Sequence, residues 1–291
     1  VRQRRVGLDG AARLTYLHAM ADWTPDIIDW SRFDPGLVAP GLLRVVKAAA
    51  LVEYNGRDYG TYLAAVFADD PAFAAAAARW AAEEVRHGEA LARWARRADP
   101  DWDFAAAAAR FTAGFRVPQD ATASVRGSRT GELIARCVVE TGTSSYYSAL
   151  AEAAAEPVLR EICRRIAADE FRHYKLFYDH LRRYQQAERI SPIGRARIGL
   201  ARIIEAGDDE LAYAFFAANA PATARYRRRD WSRAYASLAY RLYRPHHVER
   251  GIAMVLKAIG LPANGRLHRK LWPLAYRFLA WRARRLAPAA A

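Results

Sequence analysis

One seven-residue pattern occurs twice, and it limits what this chain can fold into more than any other feature. Ala81-Ala82-Glu83-Glu84-Val85-Arg86-His87 and Ala167-Ala168-Asp169-Glu170-Phe171-Arg172-His173 share the order Ala-Ala-acid-Glu-apolar-Arg-His, 86 residues apart. Glu and His three apart lie on one helix face, where a carboxylate and an imidazole can meet the same metal ion. A lone Glu-x-x-His arises often by chance on a solvated helix. Two copies inside one shared frame demand a common role.

The surrounding sequence supplies helices to carry them. Ala, Leu, Arg and Glu dominate, β-branched residues are scattered, and no Asn-Gly or Asp-Gly turn joins two alternating runs, so the chain reads as all-α. Proline with an acidic residue just before it opens a helix more naturally than it kinks one, which makes Pro71 and Pro157 helix starts. Four long helices are expected, roughly 41–68, 72–98, 128–154 and 157–186. They form an antiparallel bundle within residues 1–190, followed by a helical extension over 191–291.

Two further carboxylates fit this frame. Glu53 lies 31 residues before Glu84 with the midpoint at Asp69-Asp70-Pro71, and Glu140 lies 30 before Glu170 with the midpoint at Glu156-Pro157. Residues equidistant from the turn of a helical hairpin lie side by side, here roughly 23 Å from each bend. All four Glu therefore reach one depth. Glu53 follows Ala49, Ala50, Leu51 and Val52, and Glu140 follows Cys137, Val138 and Val139. An isolated carboxylate among apolar residues is costly unless paired, protonated or metal-bound. One Glu from each of two helices with Glu-x-x-His from each of the others composes a two-metal carboxylate site in a four-helix bundle. Such an oxygen-rich shell with one imidazole per metal suits iron or manganese better than a closed thiolate site.

The segments Trp80-Ala-Ala-Glu-Glu-Val-Arg-His-Gly88 and Ile166-Ala-Ala-Asp-Glu-Phe-Arg-His173 resemble the two metal-binding helices of the ferritin-like di-iron superfamily, most closely those of soluble acyl-carrier-protein desaturases. The resemblance spans roughly residues 40–186. It implies that Glu53, Glu84 and His87, with Glu140, Glu170 and His173, ligate two irons, some carboxylates bridging. It further implies that reduced iron reacts with dioxygen to attack a C–H bond, and that Thr143, one turn after Glu140, delivers protons. The other reading of Thr143 is a helix threonine bonded to a backbone carbonyl. A desaturase or hydroxylase acting on an apolar, carrier-borne chain is the first expectation. A non-catalytic metal-binding or partner-docking helical protein and an enzyme like a tRNA hydroxylase are the alternatives.

Around the ligands, Glu83 and Asp169 are placed to orient a His across the bundle, and Arg86 and Arg172 to offset the carboxylate charge. Gly56, Gly60, Gly88 and Gly142 lie within two turns of ligands and serve either a cavity or close helix packing. Trp80, Tyr146, Tyr147, Phe171 and Phe177 read mainly as core. His246-His247 with Glu249 forms a second candidate metal cluster, but a loop after Pro245 would expose it.

Charge and cysteine content bear on partners and compartment. Residues 1–220 hold equal numbers of acidic and basic side chains, while 221–291 hold 16 Lys and Arg against Asp230 and Glu249, carrying the net charge of +14. Such a face suits an acidic carrier protein, an acidic electron donor, an anionic membrane surface or, as a weaker fit, nucleic acid. A homodimer is a further expectation. Cys137 and Cys163 cannot build the four-thiolate iron site that rubrerythrins carry, and fit a reducing compartment. No apolar run reaches membrane-spanning length, since the uncharged stretch from Leu211 to Ala224 is broken at Pro221. The N-terminus, with Arg2, Arg4 and Arg5 and then Asp9 and Arg13, shows no secretory signal, so the expected location is cytoplasmic or peripheral to a membrane.

Overall fold

The computed structural model describes residues 23–205 and 209–286. The N-terminal arginines read above for a signal peptide lie outside these. Among the described residues every regular element is helical.

The first bundle rod departs from the expected continuous helix. It is split at Asn55 into α1 (Pro40–Tyr54) and α2 (Gly56–Val66). Asn and Gly are weak helix formers, and the Asn55 N–H is shared between the Leu51 and Val52 carbonyls at 3.2 Å each. Gly56 explains the placement: a Cβ there would lie 2.3 Å from the Cβ of Glu84, so only glycine lets the two rods approach at this level. The break falls two residues after Glu53.

The other rods follow the expected boundaries closely. They are α3 (Pro71–Ala98), α5 (Arg129–Ala153) and α6 (Pro157–Glu188), with α4 (Phe104–Gly114) in the connection between the two hairpins. Each rod starts on a side-chain cap that satisfies an otherwise orphaned N–H. Asp70 accepts from Phe73 N at 3.1 Å, Ser128 from Gly131 N at 2.9 Å, and Glu156 from Leu159 N at 2.7 Å. Glu156 also accepts from Trp94 Nε1 at 2.7 Å, tying the start of α6 to α3.

Apolar packing leaves a polar level in mid-bundle. One core cluster joins Val45, Leu51, Leu91, Trp94, Leu150 and Ile162; the other joins Leu63, Phe73, Leu133, Cys137, Phe177 and Leu181. Glu53, Glu84, His87, Glu140, Glu170 and His173 all fall between them in sequence along their rods. The equal-depth expectation is thereby met.

A C-terminal layer wraps the bundle. It comprises α7 (Pro192–Glu205), α8 (Asp209–Asn219), α9 (Arg228–Ala239), α10 (Pro245–Ala258) and α11 (Arg266–Arg285). Helices α7 and α10 pack on α5, α8 packs on α1 and α4, and α11 packs on α10 and the 3-10 turn Tyr240–Leu242. Phe215 and Ala218 enter the first core cluster, Leu256 and Ile259 the second.

Candidate metal centre

Glu84 and His87 on α3 and Glu170 and His173 on α6 project inward because i and i+3 share a helix face. Glu53 from the last turn of α1 and Glu140 from mid-α5 meet them there. All six are buried, between 0% and 6% exposed.

Their donor atoms fall into two overlapping sets. Glu53, Glu84, His87 and Glu170 form one group and Glu84, Glu140, Glu170 and His173 the other, each with its four donor atoms within 4.8 Å of one another. Glu84 and Glu170 belong to both. Nδ1 of His87 lies 3.4 Å from Glu53 Oε2 and 3.3 Å from Glu170 Oε1. Nδ1 of His173 lies 3.0 Å from Glu84 Oε1 and 3.7 Å from Glu140 Oε2. The arrangement is that of two cation positions with one imidazole and one private carboxylate each, and two shared carboxylates.

Buried polar atoms in proteins nearly always have partners. Here Glu53 Oε2, Glu84 Oε1, Glu140 Oε1 and Oε2, Glu170 Oε1 and both His Nδ1 atoms have no hydrogen-bond partner among the described residues. They face one another. Two cations, one in each group, would satisfy these atoms, so the donor set fits a pair of oxygen-preferring metals.

The opposite edge of each imidazole is fixed. His87 Nε2 lies 2.9 Å from Asp169 Oδ2 and His173 Nε2 lies 2.9 Å from Glu83 Oε2, each pair crossing the bundle. Nε2–H donates to the carboxylate, and the Nδ1 lone pair is left for the centre. The acidic residue before each repeated Glu thus serves the other repeat's His. Arg172 donates to Asp169 and, at 3.0 Å, to Glu83, so one guanidinium braces both carboxylates. Arg86 lies beside Glu83 at 3.9 Å.

Electrostatics show how crowded the centre is with negative charge. Burial, reinforced by Glu170 and Glu84, pushes the Glu140 carboxyl well above its ordinary value, and burial with Glu84 and Glu170 does the same to Glu53. Burial opposes charging of His87, but Asp169, Glu170, Glu53 and Glu84 outweigh it and push the imidazole well up. Cationic occupancy, by protons or by metal, is what the site favours.

Three aromatic residues make contacts that had no spacing signal in the sequence. Tyr147 donates to Glu53 Oε1 at 2.6 Å, and Trp23 Nε1 donates to Asp169 Oδ2 at 2.8 Å while its ring stacks on His87 at 6.0 Å. Trp80 sets its edge against His173. Thr143 combines both readings: its Oγ1 lies 3.3 Å from the Glu140 carbonyl, yet its shortest contact is 2.5 Å to Glu170 Oε2. Half-buried Thr143 sits next to exposed Gly142, where a Cβ would meet nothing. Gly56, Gly60 and Gly88 are instead tightly packed, Gly88 against the Tyr54 backbone. Cys137 is buried, and burial with Glu140 pushes its thiol well up, as befits an inert side chain.

The His246-His247 expectation needs correcting. Pro245 opens α10 rather than a loop, His247 is fully buried, and the nearby acid is Glu152 in place of Glu249. His247 Nδ1 accepts from the Arg244 N–H at 3.0 Å, which places the ring proton on Nε2, 3.2 Å from Glu152 Oε1. That tautomer offers no lone pair to a metal. It makes a helix-capping histidine, and His246 joins the same carboxylate at 2.9 Å.

Comparison with known families agrees with this geometry. The fatty acid desaturase family model matches residues 59–189, a span that carries Glu84, His87, Glu140, Glu170 and His173. The rubrerythrin family model matches residues 133–249, over the second half of the site and part of the C-terminal layer. No curated protein matches the chain. Fold, donor set and family matches together support a protein of the ferritin-like superfamily with an iron-binding, oxidoreductase-type centre. Within that class its relationship is desaturase-like.

Proposed function

We propose that Glu53, Glu84, His87, Glu140, Glu170 and His173 hold two irons, and that the protein uses dioxygen and electrons from a donor protein to desaturate or hydroxylate an apolar organic substrate. The observation that carries this reading is the set of seven buried donor atoms that lack hydrogen-bond partners among the described residues and converge in two overlapping groups. Bound and reduced, the irons would let dioxygen act as the oxidant of a C–H bond, with the donor protein supplying the remaining electrons.

The chain's own residues would do the rest. Asp169 and Glu83 keep each imidazole in the tautomer that presents Nδ1. Tyr147 fixes Glu53 through one oxygen and leaves the other to face inward. Thr143 touches Glu170 from the more exposed side and can hold a proton at Oγ1 between solvent and the shared carboxylate. Apolar clusters on both sides of the polar level exclude bulk water. A carrier protein as bearer of the substrate belongs to the same proposal and draws support from the desaturase match.

The test is iron analysis of the purified protein, with an optical spectrum after reduction and exposure to oxygen. Two irons per chain and an oxygen-dependent spectral change are expected. Glu140→Ala should lower iron content to one per chain or fewer and abolish oxidation. Unchanged iron content in that variant would overturn the assignment.

A further inference from the structure

Among the described residues, helix α11 carries an unpartnered apolar stripe. Leu267, Leu271, Leu274, Phe278 and Trp281 recur at intervals of four and three, the spacing that aligns side chains along one helical face. They are 46%, 36%, 60%, 58% and 43% exposed. The inward side is narrow: His268 and Ala283 are its buried residues, with His268 Nε2 held 3.0 Å from the Glu249 carbonyl. A row of five large apolar side chains left in water is not explained by the core.

Its setting is strongly cationic. Residues 266–285 contain seven Lys and Arg and no Asp or Glu. Arg285 lies over the Trp281 ring at 4.8 Å, and Arg282 lies 6.0 Å from the Phe278 ring and 5.7 Å from that of Tyr240. The Tyr240 contact brings the C-terminal turn of α11 to the 3-10 turn holding Arg241. There a cleft of about 500 Å³ is lined by Arg160, Arg164, Arg241 and Arg244, with Glu152 its single acidic residue.

We propose that this face of α11 docks the protein in the plane of an anionic lipid surface. A helix with Leu, Phe and Trp along one exposed face, Lys and Arg flanking that face and low net hydrophobicity lies in the headgroup region rather than crossing it. No described helix is long and apolar enough to cross a membrane. The long stems of Arg let the rings and leucines enter the acyl boundary while each guanidinium stays among lipid phosphates. Each cation near such a surface adds attraction that salt screens. Charge complementarity also selects this occupant over a second copy of the chain, because pairing two such stripes would set rows of arginine against each other.

The experiment is co-sedimentation of the full chain with vesicles of phosphatidylcholine alone and of phosphatidylcholine mixed with phosphatidylglycerol. Binding to the mixed vesicles at low salt, and little to the neutral ones, is expected. The double substitution Leu274→Ser with Phe278→Ser removes exposed side chains only, so its melting curve and iron content should match the parent. Its partitioning onto anionic vesicles should fall about tenfold or more. The proposal is overturned if the parent ignores anionic vesicles, or if the double variant binds them equally. It is likewise overturned if the variant changes from dimer to monomer with vesicle binding intact, which would make the stripe a self-interface. Equal loss of binding to soluble poly-glutamate would name an acidic protein as the occupant instead.

Discussion

Asp169 shows how much of the site depends on residues that touch no metal position. It accepts from His87, Trp23 and Arg172, and although burial raises its carboxyl, His87 and Arg172 outweigh that and hold it below the ordinary value. Asp169→Asn keeps the shape but removes the charge that fixes the His87 tautomer. Iron affinity should drop about 10–100-fold, read as faster loss of iron to a chelator, with the secondary structure unchanged. Retention at the parental rate would show that Asp169 only fills space. At this scale the sequence was most readable where it repeats itself. Glu84, His87, Glu170, His173 and the crossed Glu83 and Asp169 stand at fixed offsets within one repeated pattern, whereas Glu53 and Glu140 stand outside it and are marked by their distance from the helix turns and their apolar neighbours. Tyr147 and Trp23 were not locatable that way, because they lie 94 and 146 residues from the carboxylates they bind and such contacts leave no period.

Helix ends were legible to within a few residues wherever a cap or proline marks them, as at Asp70-Pro71, Ser128 and Glu156-Pro157. The break at Asn55 was not, because its cause is the approach of Glu84 to Gly56 from another helix. The start of α10 at Pro245 departs from the expected loop, because a buried side chain, His247, accepts from the Arg244 N–H just before it. Caps also make the stability of these elements pH-dependent. Burial raises the Asp70 carboxyl, but the Tyr184 hydroxyl, the Phe73 N–H and the Arg183 guanidinium together hold it below its ordinary value of 3.8. A carboxyl lowered by folding stabilises the native state above that value, and the contribution disappears as pH falls through the lower folded one. Asp70→Ala should therefore destabilise the protein by about 1 kcal/mol at neutral pH. Urea titrations of parent and variant should converge below pH 3.8. A difference that persists in acid would assign the effect to packing.

At the scale of the molecule, charge and packing divide the C-terminal residues differently. By charge, everything after residue 220 forms one basic extension. By packing it does not: Trp231 and Tyr235 lie against Phe215, while Leu256 and Ile259 enter the bundle's second core cluster. Helix α11 is the exception, with two buried residues along its length. Two truncations separate these roles. Ending the chain after residue 264 removes α11 and little core, so the melting temperature should move by only a few degrees and iron binding should persist. Ending it after residue 220 uncovers Phe215 and strips α10 from α5, and each large apolar side chain returned to water costs about 1.5–3 kcal/mol. Against a total stability of about 5–15 kcal/mol that loss is decisive. The shorter chain should lack a cooperative melting transition and fail to retain iron. If it folds and holds iron as the parent does, the bundle is self-sufficient and the C-terminal layer is an appendage. If instead removal of α11 alone abolishes folding, its apolar stripe is sheltered in the native protein, and the surface on which the lipid proposal stands is not free.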